Sequence, residues 1–226
     1  MMELRAEKIS RDFLRYSAKD GYFTAVAETD FTLAAGTLTA VTGRSGSGKS
    51  TLLHILGGLM KPVTGRVLLD ETDIYTLSEA ERDALRRRHI GIAPQRLMSL
   101  AALTVRENIL LPALLTGQEG AAAARADALM ERLGIRKLAS VAPSELSGGE
   151  LRRVTIARAL VMQPDILLAD EPTGDLDEEN TQSVLRLLRE TADAGTAVLL
   201  VTHEREAAAY ADAAYTMTAG KLDKIA

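Results

Sequence analysis

Gly43, Gly48, Lys49 and Ser50 fit the spacing G-x-x-x-x-G-K-[ST] inside the run GRSGSGKST at 43–51, a pattern whose chemistry is the holding of nucleotide phosphates. Glycine lets successive backbone N–H groups curl around an anion where a Cβ would clash. The stretch Gly43, Arg44, Ser45, Gly46, Ser47 and Gly48 is therefore the expected cradle, and the helix that begins at Lys49, Ser50 and Thr51 adds its partial positive end. Lys49 is placed to reach the β- and γ-phosphates and Ser50 to ligate Mg²⁺. ATP or GTP is the expected ligand.

Two further places could act on a phosphate. DILLADEP at 165–172 ends an apolar run in two acids, and acids at the C-terminal tip of a parallel strand face the ligand edge of an open α/β sheet. Asp170 is expected to hold Mg²⁺ through its water shell, and Glu171 to polarise the water that attacks the γ-phosphate. His203 closes AVLLVTH at 197–203, another strand tip, within reach of the same phosphate. A second glycine-rich turn, ELSGGELRR at 145–153, has no phosphate-loop lysine. Ser147, Gly148 and Gly149 at a helix start nevertheless offer a hydroxyl, backbone donors and a dipole end, which makes a second anion site.

These groups need a scaffold that brings strand tips together. TLTAVTG, the glycine loop and KSTLLHILGGL read as strand, loop and helix, while DILLAD and TAVLLVTH are continuous apolar runs of the kind buried on both faces of a parallel sheet. Residues 97–148 are Ala- and Leu-rich at helical spacing, with Ala121–Ala124 inside a helix, and read as an inserted helical lobe. The first 35 residues and GRVLLDETDIY show short strand-like runs broken by Gly and Asp, which predicts a small antiparallel sheet. The expected fold is an α/β P-loop core with a parallel sheet, an antiparallel β lobe and that helical lobe. In residue terms this is one domain over 1–226, with β lobe and core at about 1–96 and 149–226 and the helical lobe at about 97–148.

Composition narrows the class. The 226 residues carry 27 Lys plus Arg against 31 Asp plus Glu, so no basic excess marks a nucleic-acid footprint. Zero cysteines exclude disulfides and thiolate sites, and the charged opening MMELRAEKIS is not a signal peptide. No uncharged run reaches the 18 or so residues of a membrane helix. A cytosolic chain that reaches a membrane only through a partner is expected.

The phosphate loop, APQ at 93–95, LSGGE at 146–150, ILLADEPTGDLD at 166–177 and VTH at 201–203 follow one another as in the ATP-binding cassette (ABC) ATPases. The chain resembles that family over essentially its whole length, most closely the branch of lipoprotein-release and macrolide-efflux ATPases. The resemblance implies two head-to-tail cassettes with two ATP molecules between them, the signature turn of one (Ser147, Gly148, Gly149, Glu150) covering the nucleotide on the phosphate loop of the other. It implies that Gln95 senses Mg²⁺ and the attacking water, and that Asp177 lies in a loop crossing the dimer seam. An aromatic near the N-terminus then stacks on adenine; Phe13 lines up best, with Tyr16 close enough to compete. The implied partners are a second such subunit, identical or not, and a separate integral-membrane permease that moves or extracts peptide, lipid, lipoprotein or drug. In some members the pair transmits force without transport. A place on the inner face of the cell membrane follows, and the ending AGKLDKIA leads us to expect no regulatory C-terminal domain.

Three positions depart from that pattern. Glu150 stands where many cassettes have Gln, Asp175 where this branch often has Asn, and no aromatic precedes Gln95. A soluble ABC-type ATPase of DNA repair or translation is the alternative, but it calls for a coiled-coil insertion or tandem cassettes, which this sequence lacks. A P-loop kinase or GTPase leaves the signature and His203 without a role.

Overall fold

The computed structural model describes residues 2–14 and 21–225. Strands β1 (Leu4–Leu14) and β2 (Tyr22–Leu33) pair antiparallel, and β3 (Leu38–Thr42) runs into the glycine loop. Helix α1 (Lys49–Leu56) follows; it stops at Gly57 and Gly58, the second of which is left-handed at φ 68°. Strands β4 (Thr64–Leu69) and β5 (Thr72–Asp73) return to the first hairpin, giving the order β2-β1-β4-β5. Helix α2 (Glu79–His89) opens on a capping box from Ser78 and Glu81, and β6 (Ile90–Ala93) ends just before Pro94 and Gln95.

The region with no strand pattern is helical. It contains α3 (Val105–Leu114), capped by Thr104 and Glu107, and α4 (Glu119–Arg132), which includes the four alanines. Asn108 is fully buried, and its amide ties the 100–104 loop to α3 through bonds to Leu100, Leu103 and Thr104. Helix α5 (Gly148–Leu160) starts at the signature turn and packs against α3, α4, β6 and, next in the chain, β7 (Ile166–Asp170). After α6 (Glu178–Asp193) come β8 (Ala197–Thr202), β9 (Ala213–Thr218) and β10 (Lys221–Lys224).

Among the described residues the main sheet has six strands in the order β10-β9-β3-β8-β7-β6, parallel except for the β9–β10 hairpin. Side chains of β7 and β8 alternate between two cores. Ile166, Leu168, Leu199 and Val201 face the core shared with α1 and the β lobe, whereas Leu167, Ala169, Val198 and Leu200 face the core shared with α3 to α6. A strand covered on both sides has no solvent face, which is why these two segments read as unbroken apolar runs. The α/β architecture agrees with the expected fold class. Its functional consequence is that β3, β6, β7 and β8 all end on one edge, and Gly43, Gln95, Asp170 and His203 stand at or next to those ends.

Candidate active site

Along that edge lies a cavity of about 1150 Å³, lined by the whole 43–51 loop together with Phe13, Gln95, Glu171 and His203. The loop's shape follows from where a side chain would collide. Gly48 has φ 112°, and a Cβ there would come 1.8 Å from the Ala25 carbonyl oxygen; at Gly43 it would come 2.4 Å from that of Met217. Both glycines are therefore pressed against β2 and β9, as tightly as backbone alone allows. The turn after β9 braces the loop from outside: Gly220 N–H donates to the Ser47 carbonyl at 3.0 Å, while its own carbonyl accepts from Ala27 N–H at 2.8 Å.

Unlike α2, α3 and α5, helix α1 has no side-chain cap and no acid in its first turn. Its leading N–H groups remain free to point at an anion. Lys49, only 6% exposed, donates from Nζ to the carbonyls of Gly43 (2.7 Å) and Arg44 (3.2 Å), so its charge is held at the mouth of the loop. Ser47 lines the cavity and its Oγ is buried with no hydrogen-bond partner, a polar atom left for a ligand.

The two acids occupy different environments. Asp170 ends β7 and is 2% exposed. Burial pushes its carboxyl above the usual range, the Ser50 hydroxyl bond opposes this, and neighbouring Glu171 adds to the rise. Its Oδ1 is buried without a partner. A buried carboxylate short of a counter-charge, bonded to a serine beside a phosphate loop, is a donor set that suits Mg²⁺, which takes few protein ligands and keeps its remaining sites for water and phosphate. It also costs the fold stability. Asp170→Asn is expected to raise the unfolding midpoint of the nucleotide-free protein by about 2–4 °C, the equivalent of about 1 kcal/mol in a chain this long. The same substitution should abolish Mg²⁺-dependent turnover. Calorimetric melting with and without ATP and Mg²⁺ checks both, and a lowered midpoint without nucleotide contradicts the charge argument.

Glu171 follows in the left-handed region at φ 49°, a strained place for a residue with a Cβ. Its N–H donates to the Val201 carbonyl at 2.7 Å. The turn swings the carboxylate off the strand line and into the cavity. There Oε2 accepts from the His203 N–H at 3.2 Å and meets His203 Nδ1 at 2.9 Å, while Oε1 lies 3.8 Å from Lys49 Nζ. With Nδ1–H given to Glu171, Nε2 is the ring atom left to face a ligand, and the His203 side chain is 62% exposed.

Phe13, opposite Phe23 across β1 and β2, forms the far wall, with the Arg11 guanidinium 4.9 Å from its ring centroid. A cation thus sits over the ring, and Phe13 adds an aromatic surface to the cavity wall. Tyr16, the competing aromatic, lies outside the described residues.

The signature residues do not line this cavity, and neither does Asp177. Ser147 caps α5: its Oγ accepts from Glu150 N–H at 3.3 Å, while the Glu150 carboxylate accepts from Ser147 N–H and Oγ–H at 2.8 Å. These bonds hold the Glu150 carboxyl below its usual range. Asp177 caps α6 by accepting from Asn180 N–H at 2.8 Å. Inspection of the motifs missed three supports: the Gly220 brace, the Thr173 hydroxyl donating to Glu204 at 2.7 Å, and Arg152, whose Nη1 donates to the Gln95 carbonyl at 2.8 Å. Only Arg152 left a trace, as one of two adjacent arginines in a helix whose other residues are largely apolar.

A family model described as "ABC transporter" matches residues 26–174. The lipoprotein-releasing system ATP-binding protein LolD of Psychrobacter arcticus is 47% identical over 186 residues, spanning 81% of this chain and 82% of that protein. LolD of Shewanella sp. strain MR-4 is 41% identical over 227 residues, 99% of this chain and 96% of its own length. Among solved structures, the dimeric post-hydrolysis state of the ATP-binding cassette MJ0796, bound to ADP and Pi, superposes with a TM-score of 0.88 at 28% identity, covering 99% of each chain.

Proposed function

This chain belongs to the ABC transporter family as an ATP-binding, ATP-hydrolysing subunit, and from that premise we propose that it works as one half of a pair that closes around two ATP molecules to drive a membrane permease. The observation that carries this is a division within one chain: the phosphate loop, Glu171 and His203 share a cavity, while the signature turn lies outside it. One loop leaves the γ-phosphate open on a side, so a second chain's signature turn would complete the cage.

In this reading the loop amides of Gly43 to Thr51 and Lys49 bind the phosphates, and Phe13 stacks on adenine. Ser50, Asp170 and Gln95 would hold Mg²⁺, which when bound neutralises phosphate charge as the leaving group departs. Glu171 takes the proton of the attacking water, and Gln95 orients that water. His203 donates from Nδ1 to Glu171, keeping the carboxylate aimed, and presents Nε2 to the γ-phosphate. On the partner's nucleotide, Ser147, Gly148 and Gly149 donate hydrogen bonds, Glu150 holds Ser147 in place, and Asp177 fixes the loop that crosses the seam. Residues 97–148 act as a helical lobe against a core of 1–96 and 149–226.

The full-length likeness to lipoprotein-releasing subunits favours a permease that extracts or exports a lipid-bearing or similarly amphiphilic substrate, with this subunit held on the cytoplasmic face through it. No helix among the described residues is long and apolar enough to cross a membrane. Affinity capture from detergent-solubilised membranes should retain an integral-membrane protein that raises the turnover of the isolated subunit. Capture of ribosomes or DNA instead, with none in the membrane fraction, would transfer the chain to the soluble branch of the family.

A further inference from the structure

Arg152 is a buried cation that the phosphate chemistry does not use. It is 6% exposed and lies in the second turn of α5, five residues after Ser147. Two polar contacts define its place. Nη1 donates to the Gln95 carbonyl at 2.8 Å and Nη2 is 3.9 Å from the Asp175 carboxylate, while Nε is buried with no partner. A Cβ on Gly174 would come 3.5 Å from Nη2, so the guanidinium rests against that turn. Burial lowers its pKa, and the charges of Asp175, Glu171 and Asp170 oppose this, Asp175 most strongly. Of those three acids Glu171 lines the cavity and Asp170 bonds Ser50 of its wall, whereas Asp175 does neither. It also sits at φ 64°, in the left-handed region, which Asp tolerates better than most residues with a Cβ.

The contacts join elements that serve different nucleotides. Gln95 lines this chain's cavity, and α5 begins at the turn that faces the partner's nucleotide in the two-chain reading. The 175–176 segment packs on that same turn: a Cβ at Gly149 would come 3.1 Å from Leu176 Cδ2 and 3.3 Å from the Asp175 carbonyl oxygen. A shift of Gln95 is therefore handed to α5 through a short charge-assisted bond rather than through loose packing.

We propose that Arg152, balanced by Asp175, is a positioning residue that couples the chain's own ATP cavity to its own signature turn, and so to the nucleotide of the second chain. The proposal rests on the two-chain reading. Removing the Asp175 charge leaves the guanidinium under-compensated and favours its withdrawal from Gln95. Because the Asp175 side chain is 80% exposed, water screens the pair and the effect is modest.

The test is a double-mutant cycle on the full chain, reading turnover, KM and the cooperativity of ATP hydrolysis. Asp175→Asn should lower turnover about threefold to tenfold and flatten the cooperativity, with KM unchanged, whereas on an Arg152→Gln background it should change turnover by less than about twofold. Equal effects on both backgrounds, or none on the native one, overturn the proposal. Asp175→Glu, which keeps the charge, should retain most of the turnover, and a loss matching that of Asp175→Asn overturns it even if Arg152→Gln does not fold. ATP-dependent dimerisation of Glu171→Gln, with Arg152 and Asp175 intact, separates the two ideas: no dimer removes the two-chain reading itself, while a dimer with an additive cycle removes only the role of Arg152.

Discussion

Glu171→Gln is expected to lose on the order of 10²-fold or more in ATP turnover, the range set by removal of a general base. The geometry makes this a clean substitution. The amide oxygen can still accept from His203 N–H and Nδ1–H, now at 3.2 and 2.9 Å, so the left-handed turn and the aim of the side chain persist. What disappears is the ability to take a proton, along with a negative charge 3.8 Å from Lys49. Loss of that charge leaves Lys49 more available to phosphate, so nucleotide affinity should hold or rise. With binding intact and hydrolysis blocked, ATP and Mg²⁺ should trap a long-lived dimer visible by size-exclusion chromatography. Near-normal turnover in this variant would remove Glu171 from the reaction.

The second large effect is a gain. Lys49→Ala removes charge-assisted bonds worth roughly 1.5–3 kcal/mol and should weaken ATP binding about 10- to 150-fold. Ser147→Arg puts a long cation where the signature turn meets a phosphate and also breaks the bond pair with Glu150. Each variant alone builds dimers with two defective sites and should be nearly inactive. In a mixed dimer the Lys49→Ala loop faces the Ser147→Arg turn, so both lesions fall in one site and the other consists of unmutated parts. Mixing should restore about one occluded ATP per heterodimer. Occlusion is the primary readout, because turnover would recover less where hydrolysis needs both sites intact. If heterodimers form and occlusion does not increase, each ATP is enclosed by one chain alone.

Much of the site is readable without coordinates because its parts are contiguous. The phosphate loop needs glycines at places where the backbone touches β2 and β9, and only glycine meets that demand. Asp170 and Glu171 announce themselves by ending an apolar run, since a strand buried on both faces changes to acids only where it reaches the ligand edge. The supports were harder to find. Gly220 looks like any hairpin glycine, and the bonds it makes to Ser47 and Ala27 leave no local signature. Strands β9 and β10 are short and half polar, β10 at the sheet edge and β9 beside it, and carry no unbroken apolar run.

The amino-acid sequence by itself determined which reactive groups exist and on which kind of element each stands: a lysine after a glycine loop, paired acids and a histidine at strand ends, and a hydroxyl at the start of a helix. Those are properties of neighbouring residues, set by backbone geometry over a few positions. Only the tertiary structure decided which of them meet. Thirty-two residues separate Glu171 from His203, and 57 separate Gln95 from Arg152. Such contacts form because the sheet order sets β8 beside β7 and because α5 packs against β6, and no periodicity along the chain records that order. The same packing kept the signature turn out of the phosphate cavity, since α5 grows from the helical side of the sheet while the loop is braced from the other.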